Sequence, residues 1–564
     1  MKQDIRFILP EKCGISVSNW QECLDEHARS SQPLVELVVQ RNLANEEVFL
    51  KAAGACLGLD FVELSSRQIA ADVIKSVPVR LVTHYRFMPL EMRDETLLIA
   101  VNDPFDTFAL DDIRLFLGRP VRPAAAAHRD IVEAIKRFYG VGAETLEAMK
   151  GDAFSEEERR LSAAKSASGG SITDEARDPS VIKLLNQVLL DAIRQRATDI
   201  HFEPFENDLR VRYRIDGILY EIPSPESLKH FQSAIATRIK VMANLDIAER
   251  RRPQDGRVDV QLDDDTYDLR ISVMPTPFGE SIGIRILRRS APDITLENLG
   301  LAEAEFSLLM RMIRQPHGII LVTGPTGSGK TTTLYACINR INSAQRKILT
   351  IEDPIEYQLK GVTQMQIEPR IDFTFANALR SMLRHDPDVM MVGEIRDSET
   401  AEIAVRTALT GHLVFSTLHT NDAAGAITRL LDMGIDPFLV ASSVNLIVAQ
   451  RLVRVTCSRC STAVSVKPEL LRQFTDSPPG QPLKQGKGCD HCRMTGYQGR
   501  TGIFEMLVLT DEIKELILRK ASAHRIREQA VSQGMKLLKE AGWEKVTRGE
   551  TTLEEIVRVT HEVE

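Results

Sequence analysis

The stretch Gly324-Pro325-Thr326-Gly327-Ser328-Gly329-Lys330-Thr331 has the residue types and the spacing to hold a triphosphate. Its glycines let the backbone curl until successive N–H groups face a phosphate, and the start of a following helix adds partial positive charge. Lys330 is then placed to reach the terminal phosphates, and the Thr331 hydroxyl to ligate Mg²⁺. The flanks agree, with an apolar run over 318–322 before the loop and a helix-compatible run over 331–341 after it. Strand, glycine-rich loop and helix in that order are the context the motif requires. The chain is expected to bind a nucleoside triphosphate.

Hydrolysis of a γ-phosphate also needs an oriented water and further charge neutralisation. Three more apolar runs end in polar residues: 347–351 leads into Glu352-Asp353-Pro354-Ile355-Glu356, 389–392 into Gly393-Glu394, and 413–417 into Leu418-His419-Thr420-Asn421. In an open parallel sheet, ligand-handling groups sit at the carboxyl ends of strands. Glu394 is therefore the first choice to position or activate water, and Glu352 and Glu356 are carboxylates able to share that work. His412 and His419 flank the last run, but a lone histidine is more often packed or hydrogen-bonded than functional.

A second constellation is Cys457-x-x-Cys460 and Cys489-x-x-Cys492, with 28 residues between the pairs. Two such pairs supply the four thiolates that a tetrahedral structural Zn²⁺ prefers. The gap exceeds the usual separation of about 15–20 residues, so the intervening segment must fold out as a loop or small lobe, which Ser477-Pro478-Pro479-Gly480 suits. Disulfides or a redox pair are the alternatives, and no secretory signal accompanies them. Cys13, Cys23, Cys56 and Cys337 show no ligand spacing.

Positioning these groups takes several modules, since 564 residues exceed one core. Hydrophobic content of 43% and charged content of 27% are those of a globular protein. No apolar run approaches a membrane span and the first residues lack a signal-peptide core, so a soluble, cytoplasmic protein is expected. The net charge of −8 argues against a nucleic-acid motor. Residues 1–140 read as a small α/β docking module, with Leu34, Leu37, Val38, Val48, Phe49 and Ala52 at helical spacing and a strand-like run over 97–101. Residues 141–178 have the Ser-, Ala- and Gly-rich composition of a flexible linker. In 179–290, Val181, Leu184, Leu185, Val188, Leu189 and Ala192 trace a helix face, and Leu209-Arg-Val-Arg-Tyr-Arg-Ile215 alternates apolar and cationic residues as a half-buried strand. Residues 291–456 read as an α/β nucleotide domain with a mainly parallel sheet, 457–500 as the four-cysteine lobe, and 501–564 as a helical end anchored by Trp543.

From about residue 178 onward the chain resembles the bacterial ATPases that drive type II secretion and type IV pilus assembly. The resemblance is carried by Gly324-Pro-Thr-Gly-Ser-Gly-Lys-Thr-Thr332, Thr350-Ile-Glu-Asp-Pro-Ile-Glu356, Asp386-Pro-Asp-Val-Met-Met-Val-Gly-Glu-Ile-Arg-Asp397 and Thr410-Gly-His-Leu-Val-Phe-Ser-Thr-Leu-His-Thr-Asn421. The four cysteines, Ala197-Thr-Asp-Ile-His-Phe-Glu-Pro204 and Arg251-Arg-Pro-Gln-Asp-Gly-Arg257 add to it. It implies a RecA-like P-loop ATPase domain, with Thr332 part of the nucleotide loop, preceded by a PAS-like α/β module. It also implies a homohexamer whose ATP lies between those two domains, with Arg257 and Arg270 completing the phosphate site. The ring would act on an inner-membrane platform protein and a cytoplasmic membrane-anchor component, peripheral to the membrane, with ATP, Mg²⁺ and Zn²⁺ as cofactors. The four-cysteine lobe favours the secretion and assembly branches over the retraction branch. Some relatives bind a cyclic dinucleotide at the N-terminus through an Arg-Leu-Gly opening and a later glycine. Here Gln32-Pro33-Leu34 and Asn42 stand in their place, so such binding is not expected.

Overall fold

A computed structural model describes residues 9–140 and 179–560, apart from 11, 31, 66, 224–225, 263–264, 290–293, 465–470, 472–473 and 475–481. The linker expected at 141–178 and the loop expected at 477–480 lie outside the described residues. The chain divides into two units, Met1–Leu287 and Arg288–Glu564.

At the N-terminus the helices Val17–Ser30, Leu34–Gln40 and Glu46–Leu57 bury Trp20, Leu37, Val38, Phe49 and Leu50 in one cluster. Asn45 caps the third helix by accepting the Glu47 N–H at 3.0 Å. Val48, expected on the buried face, is instead 51% exposed, and Leu50 and Ala53 complete that face with Phe49. Three strands follow: β1 (Phe87–Arg93), β2 (Thr96–Val101) and β3 (Val121–Ala125). β1 and β2 are antiparallel, and β2 and β3 parallel.

In the next module the helix Pro179–Arg194 packs Val181, Leu184, Leu185, Val188, Leu189 and Ala192 into the core of a six-stranded sheet. Its strands are β4 (Asp199–Pro204), β5 (Leu209–Ile215), β6 (Ile218–Ile222), β7 (Gln254–Leu262), β8 (Asp265–Thr276) and β9 (Gly279–Arg288), in the spatial order β6-β5-β4-β9-β8-β7. Alternation in β5 buries Leu209, Val211 and Tyr213 and turns Arg210, Arg212 and Arg214 outward. That face is not a free cationic surface. Arg212 donates to Glu203 through Nε and Nη2 at 2.7 and 2.6 Å, and Arg214 lies 3.7 Å from Asp199, both acids on β4. Arg210 lies over the Phe205 ring. The β4–β5 register places these acids opposite or diagonal to the arginines, which linear sequence does not display. Arg257 and Arg270 stand directly opposite one another on β7 and β8. Arg257 is exposed, and Arg270 is half-buried with its Nε 3.6 Å from Asp268.

The second unit is organised on a seven-stranded sheet. β10 (Gly318–Thr323), β11 (Ile348–Glu352), β12 (Thr363–Gln366), β13 (Val389–Val392), β14 (Leu413–Leu418) and β15 (Val444–Thr456) run parallel. The spatial order is β12-β11-β13-β14-β10-β15, with β18 (Tyr497–Val508) beyond β15 at the edge. Period-two alternation sends Ile319, Leu321, Val414 and Ile447 into the core on one face and Ile320, Val322, Phe415 and Val448 into the core on the other. Burial on both faces explains why these strands read as unbroken apolar runs, each aliphatic side chain contributing roughly 1.5–3 kcal/mol.

β16 (Ser461–Val464) and β17 (Leu483–Gly486) form a two-stranded ribbon, and β18 (Tyr497–Val508) returns antiparallel to β15. Residues 503–508, expected with the helical end, are thus the last strand of the sheet. Their Ile-Phe-Glu-Met-Leu-Val run suits an edge pairing, and helices begin only at Asp511. Trp543 does anchor that end, stacking on Phe474 at 5.8 Å.

Candidate active site and thiolate lobe

Strand register alone assembles the candidate active site. Thr323, the last residue of β10, is opposite Leu418 of β14 and Ala449 of β15. One residue further on, Gly324, His419 and Gln450 are therefore level with one another. Val392 of β13 is opposite Ser416, so Glu394 emerges beside the same level. The Thr417 hydroxyl donates to the Gly393 carbonyl at 2.7 Å, which fixes the turn that carries Glu394.

The loop closes tightly on β15. Gly324 has φ 148° and Gly329 φ 88°, a region open chiefly to glycine. A Cβ on Gly324 would stand 2.6 Å from the Gln450 carbonyl oxygen, and one on Gly329 2.8 Å from Gln450 Nε2. Pro325, Thr326 and Gly327 form the exposed rim, while Ser328 is buried with its Oγ lacking a hydrogen-bond partner. Thr331 is half-buried and Thr332 exposed at the first turn of the helix Lys330–Ile341, and Thr333 donates to Gln450 Oε1 at 2.7 Å. Curled backbone, an unsatisfied buried hydroxyl and a helix start are the donor set a polyphosphate takes up.

Lys330 is buried, its Nζ donating to the carbonyls of Gly324 at 2.8 Å and Pro325 at 3.1 Å. Burial pulls its pKa down to about 8, against the opposing charge of Glu394. Glu394 is paired with Arg396 at 2.6 Å and lies 3.5 Å from His419 Nε2. Burial lowers the His419 pKa, and the Lys330 charge adds to that. The shift favours the neutral imidazole, whose Nε2 faces the Glu394 carboxylate.

Glu352 and Glu356 occupy a different setting. The Glu352 carboxylate is buried and accepts from the Tyr335 hydroxyl, from Thr350 Oγ1 at 2.7 Å and from Gln364 Nε2 at 3.0 Å. Burial raises its pKa, with the charge of nearby Glu356 adding to the rise. Three donors on one buried acid stitch the helix Lys330–Ile341 to β11 and β12. His412 sits at the amino end of β14, its carbonyl accepting the Gly318 N–H at 3.1 Å and its Nδ1 3.1 Å from the Thr407 carbonyl oxygen. Within one chain, β14 separates it from His419. Arg396, Gln450, Arg451 and Thr323 also line the site and were not singled out from sequence. Only Arg396, inside the run that resembles the family, carried a usable signal.

Cys457 follows β15 and Cys460 precedes β16, while Cys489 and Cys492 lie in the turn before β18. Their sulfurs lie within 4.8 Å of one another, with Cys457–Cys489, Cys460–Cys492 and Cys489–Cys492 at 3.8, 3.6 and 3.7 Å. Four thiolates at about 2.3 Å from one tetrahedral ion stand about 3.8 Å apart. The Cys489 and Gly496 N–H groups donate to Cys492 Sγ at 3.2 and 3.3 Å, the contacts that stabilise a bound thiolate. The set fits a tetrahedral metal ion.

A phosphate loop on a central parallel strand, with an acid two strands away at the same edge, defines a RecA-like P-loop ATPase. The comparisons agree and go further: the model of the family described as type II/IV secretion system protein matches residues 174–558, and the chain belongs to that family. An MshEN domain model matches residues 57–145. The chain is 41% identical over 548 residues to the type II secretion system protein E of Xanthomonas campestris pv. campestris, covering 95% of this chain and 94% of that protein. It is 39% identical over 548 residues to the type IV pilus assembly ATPase PilB of Myxococcus xanthus, covering 96% of each. Among solved structures, the Legionella pneumophila ATPase DotB shares the fold with a TM-score of 0.50 at 21% identity, over 67% of this chain and 95% of that one. The chain is an ATP hydrolase of the secretion and pilus-assembly class.

Proposed function

We propose that this ATPase powers pseudopilus assembly in type II protein secretion. The observation that carries the motor reading is the grouping of Lys330, Glu394 and His419 at one level of the sheet beside the phosphate loop. In this reading Lys330 and the loop N–H groups hold the β- and γ-phosphates, and the Thr331 hydroxyl is a ligand for Mg²⁺, which supplies charge neutralisation. Glu394 orients the attacking water, with His419 fixing the carboxylate. Glu352 acts through Tyr335 and Gln364, keeping the strand edge in shape, and Glu356 lies next to it. Zn²⁺ is the ion suited to four cysteine sulfurs at these distances, and its role is structural.

The identity of 41% over nearly the whole length to a protein named for type II secretion supports the secretion client. The 39% identity to a pilus assembly ATPase supports extension of a type IV pilus as the second reading, with the same chemistry. A homohexamer with Arg257 and Arg270 meeting the phosphates of ATP, attached to an inner-membrane platform through partners, is part of this proposal. No helix among the described residues is long and apolar enough to cross a membrane. For the N-terminal module, Gln32-Pro33-Leu34 argues against a cyclic dinucleotide, whereas the MshEN match over 57–145 argues for one. Asn42 no longer argues against one, because its φ of 53° is the geometry glycine would supply.

The test has two arms. Purified wild type should hydrolyse ATP while Lys330→Ala and Glu394→Gln do not, and full activity in Glu394→Gln would remove the catalytic assignment. Deleting the gene should abolish export of secreted enzymes and leave surface pili intact; the reverse result selects the pilus reading.

A further inference from the structure

The segment over 418–422 is tied to its surroundings from several sides. Thr323, immediately before the phosphate loop, accepts the Thr420 N–H on its Oγ1 at 2.9 Å. The carbonyls of Leu418 and Thr420, at 3.2 and 3.1 Å, are acceptors for its single proton, and Thr420 Oγ1 lies 2.8 Å away. Across the loop, the buried Arg451 donates through Nη2 to the Asn421 carbonyl at 3.0 Å and to Asn421 Oδ1 at 3.3 Å. Its Nη1 donates to the Gln450 carbonyl at 3.2 Å and would stand 3.1 Å from a Cβ on Gly324. Behind the segment, the buried Glu505 accepts the Ala423 N–H at 2.9 Å, and Asp422 pairs with Arg527.

Thr323 and Arg451 therefore touch both the first residue of the phosphate loop, or its neighbour, and the segment that carries His419. A neutral hydroxyl on one side and a guanidinium with several fixed donors on the other form a clamp of short reach. Thr323 is neutral, whereas the Arg451 guanidinium also lies near enough to Lys330 for its charge to lower the lysine's pKa; what the two share is the tie to residues 420–421. We propose that Thr323 and Arg451 are positioning residues for ATP hydrolysis, locking residues 419–421 to the phosphate loop so that His419 stays beside Glu394. This rests on the roles given above to Glu394 and His419.

The experiment is a double-mutant cycle on the purified full-length protein, with kcat and KM for ATP as readouts. Thr323→Val keeps the side-chain shape and removes the hydroxyl. It is expected to lower kcat by about tenfold or more, with KM within about threefold, because a misplaced catalytic group costs turnover rather than binding. Thr323→Ser, which retains the hydroxyl, should recover most of the rate, and Arg451→Gln should lower kcat as Thr323→Val does, with a change in KM as well because its charge acts on Lys330. In a His419→Gln background, Thr323→Val should cost less than about twofold more, since groups acting through one another are not additive. Should Arg451→Gln not fold, the isosteric Thr323→Val still decides. A Thr323→Val kcat equal to wild type, a loss confined to KM, or costs that multiply in the double variant would overturn the clamp while His419→Gln remains defective. A wild-type kcat in His419→Gln would instead remove the His419 assignment and the clamp with it.

Discussion

The phosphate edge and the thiolate lobe are joined by one strand, β15, and are built on opposite rules. At the phosphate edge the groups differ from one another: a buried lysine, a carboxylate shared between an arginine and a histidine, and curled backbone with an unsatisfied hydroxyl. Their energies conflict, as the lowered Lys330 pKa records, and conflict of that kind marks a site whose members change partners during a reaction. At the lobe, four groups of one kind converge, their sulfurs within 4.8 Å of one another, with backbone N–H groups already turned toward one of them. Nothing there is arranged to change. One end of the ribbon is organised for turnover and the other for permanence.

That contrast can be broken from either side. The largest effect is expected at the edge: Glu394→Gln and Lys330→Ala should each lower kcat by about a thousandfold or more, with metal content and thermal midpoint close to wild type. A large fall in thermal midpoint in either variant would show that the edge holds the fold together. Next comes Cys457→Ser, which should release the metal and lower the thermal midpoint by about 5–10 °C, with a loss in kcat smaller than the edge variants show. Stoichiometric metal in Cys457→Ser, measured by atomic emission, would contradict four-thiolate ligation. The smallest effect is a pH dependence that runs in opposite directions at the two sites. Lys330 binds phosphate as its protonated form, and with a pKa of about 8 it loses that form as pH rises. KM for ATP should therefore rise a few-fold between pH 7 and 9, whereas the thiolate lobe should hold its metal more tightly across the same range, because its ligands bind deprotonated. A KM independent of pH would mean that the nucleotide restores the full basicity of Lys330.

Both regions were legible in the sequence to different depths. The glycine-rich loop, its two flanks and the four cysteines are local patterns, so residue type and spacing located them. The strands over 348–352, 389–392 and 413–418 were legible because burial on both faces forces continuous apolar runs. What stayed hidden depends on register. Thr323 is a plain strand residue until pairing brings Leu418 and Thr420 to it, and Arg451 belongs to the site only because β15 lies beside β10. Likewise Arg212 and Arg214 read as an open cationic face until β4 supplies Glu203 and Asp199. Residues 503–508 read with the helical end because nothing local announces that a strand after the cysteine lobe returns to the sheet it left.

That return has a mechanical meaning. β15 and β18 form a ribbon of 13 and 12 residues, with Gln450 leaning on the phosphate loop at mid-length and the cysteines at its tip. From Gln450 to Cys457 is roughly 20 Å of extended chain. The last helices hold that length in place: Arg454 pairs with the buried Glu555 at 2.9 Å, and the Thr456 N–H donates to the Glu550 carbonyl at 2.8 Å. The contact of the loop glycines with Gln450 is thus continuous, along one strand, with both the C-terminal helices and the four sulfurs.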